Sequence, residues 1–238
     1  DKQWNIVTGI RSVRTTDLVT GHTARGDREA HPFWSRYAGF NLNNTYGGQG
    51  ALEYDLAATA YARTGPMPFF FIEGDYDGDG SSIAEVRRQA YESLLSGACG
   101  HFFGNTPIWG FGEPNANGGN GAAAALANAL STTATLQMGH LRALFMTQQW
   151  WKLQPRTDAS LVTSALGTGS GRICPALAQD GSFALVWKPG SGIATVNMAA
   201  LASAGVRARF FDPITGVYAD VAGSPFANAG TRTFTWPG

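Results

Sequence analysis

The sequence predicts an α/β chain: the second half of a (β/α)8 TIM barrel, followed by a small antiparallel β-sandwich. Three observations lead there. Helical and strand-like signals alternate through the first 155 residues, which gives a parallel sheet covered by helices. Four such units are present, where a closed barrel needs eight strands and about 250 residues. Beyond Pro155 the apolar period falls to two and turn signals crowd together, as in a sandwich. The expected division is residues 1–155 for the barrel half and 172–238 for the sandwich. A doubly wound open sheet is the alternative, but no Gly-rich phosphate loop follows any strand.

Taken in order, Trp4 to Leu18 carries Ile6, Ile10 and Val13 at helical spacing, and Leu18 to Gly21 reads as a short strand. Tyr37 to Leu42 is expected as a second strand. A helix from about Ala51 to Arg63 follows, with Leu52, Leu56 and Ala60 on one face. Met67 to Ile72 is a continuous apolar run, the look of a strand buried on both faces. Ser82 and Glu85 form a capping-box signature that starts a helix with Ile83, Val86, Ala90 and Leu94 inward, ending near Gly97. Ala98 to Phe103 gives a fourth strand. A Gly/Asn/Ala-rich loop, Gly112 to Gly121, leads into a long helix from about Ala123 to Trp151, stopped by Pro155. In the tail, Phe183, Leu185 and Trp187 alternate with smaller residues, as do Phe234 and Trp236 with threonines. Ala194 to Met198 and Val206 to Phe211 are further strands. Turns fall at Asp180-Gly181, Pro189-Gly190 and Asp212 to Gly216.

The composition narrows the function classes. The 238 residues are 44% hydrophobic but only 14% charged, with 17 basic against 17 acidic side chains. A core can form, a nucleic-acid binder would be basic, and no apolar run reaches the roughly 20 residues of a membrane helix. A polar surface built from Thr, Ser, Asn and Gln fits secreted or periplasmic carbohydrate-active proteins. The chain opens on Asp1 rather than Met, which suggests processing or an omitted segment. Cys99 and Cys174 permit at most one disulfide and no cysteine-based zinc cluster.

In a parallel barrel the reactive groups stand at the C-terminal ends of strands, where the loops converge. The run Met67 to Ile72 ends in Glu73, which aims a carboxylate at the mouth and makes Glu73 the sharpest candidate. Glycosidic hydrolysis normally needs two carboxyl groups, and no second one ends a strand in so telling a place. Other strand ends offer His22, Asp27, Asn43, Asn44 and His101. His101 and Trp109 suit a sugar, by hydrogen bond and by stacking. Asp75, Asp77, Asp79 and Gly80 imitate the start of a calcium loop, but Val86 stands where the bidentate Glu belongs. The sequence has no HExxH, CxxC or GxSxG motif, so neither a metal nor a cofactor is expected. Trp150-Trp151 is expected to pack on the sandwich. Arg87-Arg88 reads as a solvated helix face, unless one of the pair folds back to orient a carboxylate.

Linked motifs then resemble a known family. Pro68 to Asp77, Arg88-Gln89-Ala90-Tyr91, Leu94 to His101, Gly104 to Trp109, Gln137-Met138, Leu144-Phe145 and Trp150-Trp151 are similar to the apiosidase-like (DUF4038) glycoside hydrolases. Trp187-Lys188-Pro189, Phe211 to Gly216 and Phe234 to Pro237 are similar to the β-domain that usually follows, often labelled collagen-binding. The resemblance covers about residues 15–238. It implies a (β/α)8 barrel with an acid/base after strand 4 and a second carboxylate after strand 7, the position Glu73 matches. Asp77 replaces the usual Glu, and Gly74 stands where proline is common. The expected function is a glycoside hydrolase with Glu73 as nucleophile or base, Tyr76 holding it, and His22, Asn44, His101 and Trp109 lining the sugar subsite. The acid is expected from a complementary polypeptide that completes the barrel, with no nucleic-acid or membrane partner. A non-catalytic carbohydrate-binding or structural protein is the alternative.

Overall fold

Four parallel β-segments form the frame of the first part of the chain. A computed structural model describes residues 2–24, 28–63, 65, 67–110 and 127–237. The elements here are α1 (Lys2–Val13), α2 (His31–Trp34), β1 (Asn43–Tyr46), α3 (Glu53–Tyr61), β2 (Phe69–Glu73), β3 (Tyr76–Asp77), α4 (Ile83–Leu95), β4 (Gly104–Asn105), α5 (Thr106–Trp109) and α6 (Thr133–Met146). β1 lies parallel to β2, Asn43 opposite Phe69, with a slip between Thr45 and Tyr46 that sets Tyr46 opposite Glu73. On the far side of β2 the Cys99 amide donates to the Phe69 carbonyl, and the Phe102 amide to that of Phe71. β3 pairs parallel with β4. With helices between the strands, this part is mixed α/β.

β2 forms where the apolar run lies, and Phe69, Phe70 and Phe71 are buried. α4 begins as its capping signature specifies: the Ser82 side chain accepts from the Glu85 amide at 3.2 Å. Glu85 does not reach back to complete the box; its carboxylate pairs with Arg88.

Several expectations change. Leu18 to Gly21 forms no strand, and within Ala98 to Phe103 only His101 makes a β-bridge, parallel to Phe71, the strand β4 coming just after. Tyr37 to Leu42 is not a strand. Gly39 turns the chain at φ 106°, Tyr37 packs with Val7 and Val19, and the strand comes later, as β1. Polar Asn43, Asn44 and Thr45 are buried in it, and the two amides find partners: Asn43 Nδ2 donates to Glu29 at 2.6 Å, and Asn44 Nδ2 to the Gly21 carbonyl at 2.8 Å. On α1, Val7 is buried while Trp4, Ile6, Ile10 and Val13 are exposed. The long helix is broken. A 3-10 turn (Ala129–Ser131) precedes Thr132, which is extended and caps α6 by accepting from the Thr135 amide. The expected loop from Gly112 to Gly121 and the start of that helix at Ala123 lie outside the described residues.

The tail is antiparallel throughout. It comprises β5 (Leu153–Pro155), β6 (Cys174–Ala178), β7 (Ala184–Trp187), β8 (Gly192–Asn197), β9 (Gly205–Val206), β10 (Arg209–Phe211), β11 (Tyr218–Asp220), β12 (Phe226–Ala227) and β13 (Thr231–Trp236). The ladders run β5-β6-β7, β8-β13, β9-β12 and β10-β11. Val206 to Phe211, expected as one strand, is divided between β9 and β10. The turn at Asp212 is closed by its own carboxylate, which accepts from the Ile214 amide and the Thr215 hydroxyl, with Gly216 at φ 73°.

β6 is buried on both faces. Cys174 and Ala176 join Tyr54, Tyr91, Leu95, Leu144 and Phe145 from the helices, while Leu177 joins Val196, Met198, Phe226 and Phe234 from the tail. This is the period of a strand between two apolar layers. Trp150 is partly buried against the first cluster, whereas Trp151 is exposed. Both cysteines are free; Cys174 is buried and Cys99 exposed.

Candidate active site

The buried stretch of β2 ends at Glu73, whose side chain is 25% exposed. Both carboxylate oxygens are tethered. The Tyr76 hydroxyl donates to Oε1 at 2.9 Å, and His22 Nε2 lies 2.9 Å from Oε2. The Gly47 amide donates to the Glu73 carbonyl, so backbone and side chain are both fixed. Tyr76 can lie flat over Gly104 only because that residue has no Cβ, which would come within 2.4 Å of the ring. Burial, then the hydrogen bond to Glu73, pushes the Tyr76 hydroxyl well above its ordinary range. It therefore stays a phenol and a donor.

His22 reaches the other oxygen of the same carboxylate. Its Nδ1 lies 2.7 Å from the Thr23 carbonyl, an acceptor only, so Nδ1 carries hydrogen. The Nε2–Oε2 contact then requires a proton between the two, held by the imidazole or by the carboxyl. Tyr46 supports the imidazole edge-on at 5.3 Å.

Glu73 opens on a polar cleft of about 330 Å³, lined also by Tyr46, Gly48, Gln49, Tyr76, Asp79, Thr106 and Trp109. Trp109 is 53% exposed and offers an apolar surface beside the carboxylate. Burial opposes the charge of Asp79, but hydrogen bonds from Ser81, Gln49 and the Tyr76 amide outweigh it and hold the carboxyl below its ordinary range. Asp79 is thus an acceptor in the cleft.

Among the residues singled out from the sequence, Glu73, Tyr76, His22 and Trp109 gather at or beside this cleft. Asn44 and His101 do not. Asn44 is 0% exposed and turned toward Thr20 and Gly21. His101 stacks on Phe71 at 5.3 Å, and burial lowers its pKa to about 4. Asn43 is likewise buried, and Asp27 lies outside the described residues. The calcium-like run serves as loop acceptors: Asp75 for the Gly50 amide and the Ser81 hydroxyl, Asp77 for Asn105, Asp79 as above. Among the described residues no three acidic, His or Cys groups gather around a metal-sized space. Sequence reasoning missed Gln49, Tyr46 and Thr106. Glycines crowd around Gln49 (Gly47, Gly48 and Gly50), a signal of close backbone approach that could have marked that loop. Arg88 is buried and paired with Glu92, the less expected outcome for the basic pair.

No helix of the described residues is long and apolar enough to cross a membrane. No curated protein matches the sequence. Two of the solved structures that share the fold match this chain over nearly its whole length. One is described as a glycoside hydrolase: 18% identical, TM-score 0.85, covering 98% of this chain and 57% of its own. The other, a glycoside hydrolase family 5 protein from Bacteroides vulgatus, is 18% identical with TM-score 0.84, covering 98% of this chain and 55% of its own. The chain thus spans little more than half the length of either. The family model "Putative collagen-binding domain of a collagenase" matches residues 155–238. The model "Apiosidase-like, catalytic domain" matches residues 2–152, and with well over half the chain under it, the protein belongs to the apiosidase-like family.

Proposed function

We propose that this chain is the catalytic C-terminal half of a glycoside hydrolase barrel, residues 1–155, with a β-sandwich accessory module at 172–238. Glu73 acts as nucleophile or base on a glycosidic bond of a polysaccharide or its side chains, in a secreted or periplasmic setting. The observation that carries this reading is a carboxylate at the C-terminal end of a buried parallel strand, held at both oxygens by Tyr76 and His22 beside an exposed Trp109. A carboxylate tethered in this way keeps a fixed direction of attack, and much of the rate of such enzymes comes from fixed geometry. Tyr76, a neutral donor, holds the carboxylate in one orientation as its other oxygen attacks the sugar bond. Trp109 gives a sugar ring a face to stack on.

The second carboxyl group comes from a complementary polypeptide. Two features support it: the chain spans 57% and 55% of the two solved glycoside hydrolases, and α1 leaves Trp4, Ile6, Ile10 and Val13 exposed. Asp79 is a poor acid because its donors hold it ionised. The separation of the two carboxyl groups then sets the outcome: about 5–5.5 Å gives retention and about 6.5–9.5 Å inversion.

The same lack of an acid partner within the described cleft favours a second reading, in which the chain binds carbohydrate without cleaving it. Release of reducing ends from a polysaccharide panel by the chain together with its complementary polypeptide separates the two. Glu73→Gln is expected to abolish release while leaving the melting temperature unchanged. Unaltered turnover removes Glu73 from the mechanism, and binding without release by the wild type favours the second reading.

A further inference from the structure

We infer that Gln89 is the positioning residue of the Glu73 cleft. Gln89 lies on α4, 1% exposed, and touches no cleft surface itself. Its amide binds two loops at once. Oε1 accepts from the Asp75 amide at 2.8 Å, in the turn just after Glu73. Nε2 donates to the Gly48 carbonyl at 3.1 Å and to the Ala51 carbonyl at 3.4 Å, in the loop after β1. That loop carries Gln49 into the cleft, where Gln49 donates to Asp79.

Three further contacts depend on the same placement. The Gly47 amide donates to the Glu73 carbonyl, the Gly50 amide to the Asp75 carboxylate, and Arg88 to the Ala51 carbonyl. Gly74 makes room for the clamp: a Cβ there would lie 2.3 Å from Gln89 Oε1. A glutamine suits the position because it offers a neutral acceptor and a donor on one planar group at the end of a longer stem than asparagine has. A carboxylate would face the Gly48 and Ala51 carbonyls with no hydrogen to give. The sequence places Gln89 on a helix face and says nothing of its partners, 14 to 41 residues away.

The inference rests on Glu73 as the reacting group, so its test has two readouts in the full chain: amide hydrogen exchange corrected for intrinsic rates, and glycan hydrolysis. In Gln89→Met, exchange over residues 47–52 and 74–76 is expected to quicken about tenfold, three hydrogen bonds being lost, with β6 unchanged. kcat is expected to fall by about the same factor. Gln89→Glu is expected to match Gln89→Met at about pH 8.5 and to return toward wild type at about pH 5, each normalised to wild type at that pH, because a protonated carboxyl can donate again. That acid rescue is beyond a merely space-filling side chain, and it stands even if Gln89→Met does not fold. Unchanged protection of both loops, kcat within twofold of wild type, or no acid rescue overturns the inference. If the wild type hydrolyses nothing even with its complementary polypeptide, or Glu73→Gln stays active, the reading of Glu73 fails and the exchange data alone decide Gln89.

Discussion

Replacing Arg88 by Met keeps most of the apolar stem and deletes a buried cation. Arg88 is 4% exposed and Glu92 0%, and their charged atoms meet at 2.8 Å. Arg88 also donates to the Ala51 carbonyl and to Glu85. Two charges taken this far from water contribute little net stability as a pair, but removing one partner strands the other at a cost of about 3–5 kcal/mol. Against a total of about 5–15 kcal/mol this is a large fraction. Burial already raises the Glu92 carboxyl, and Arg88 is the main restraint on that rise. Without Arg88 the folded pKa climbs further above the unfolded value near 4.5. A carboxyl raised on folding has its stability intact below the unfolded value and loses it as pH rises toward the folded one. The deficit of Arg88→Met in urea denaturation is therefore expected to be small near about pH 5 and full near about pH 8. Adding Glu92→Gln is expected to recover most of it. A deficit under about 1 kcal/mol at the higher pH, or one equal at both, refutes the reasoning.

Two further perturbations probe the cleft and the packing behind β2. Tyr76→Phe deletes the donor 2.9 Å from Glu73 Oε1. Such a bond to a charged group is worth about 1.5–3 kcal/mol, so kcat is expected to fall about 10- to 150-fold with the fold intact; a change within twofold in steady-state kinetics separates Tyr76 from the chemistry. His101 is held neutral by burial, with its pKa lowered from 6.5 to about 4. Its contribution is complete above the unfolded value and fades as pH falls through that window. His101→Gln is expected to flatten the acid limb of the stability curve between about pH 6.5 and about pH 4, and identical limbs count against a buried neutral imidazole.

What the sequence made legible follows from what makes a signal local. β2 was readable because four apolar residues in a row leave few alternatives, and α4 because Ser82 and Glu85 are three residues apart. Glu73 followed from β2 alone. β1 was not readable: its buried residues are Asn43, Asn44 and Thr45, and the partners of the two asparagines stand elsewhere in the chain. Asn44 and His101 were placed near the mouth by strand-end reasoning, which locates a residue but not its direction. In a pleated strand alternate side chains point away from one another, and these two turn inward. The pairing of His22 with Glu73 spans 51 residues, beyond any local pattern. The polar interior of α4, with Arg88, Gln89, Glu92 and Ser93 all buried, contradicts the rule that charge marks solvent, because partners on α4 itself, at the start of α3 and in the loops after β1 and β2 meet these groups.

β6 has a consequence for anyone who would re-engineer the molecule. Its Cys174 and Ala176 complete a layer whose other members, Tyr91, Leu144 and Phe145, belong to the helices, and Tyr91 stacks on Trp187 at 4.5 Å. Trimming everything after Lys152, or exchanging the tail for a foreign fusion partner, would uncover a sticky aromatic surface rather than a finished helical one. The expected product is insoluble, so a library of swapped tails needs β6 and β7 retained as part of the recipient.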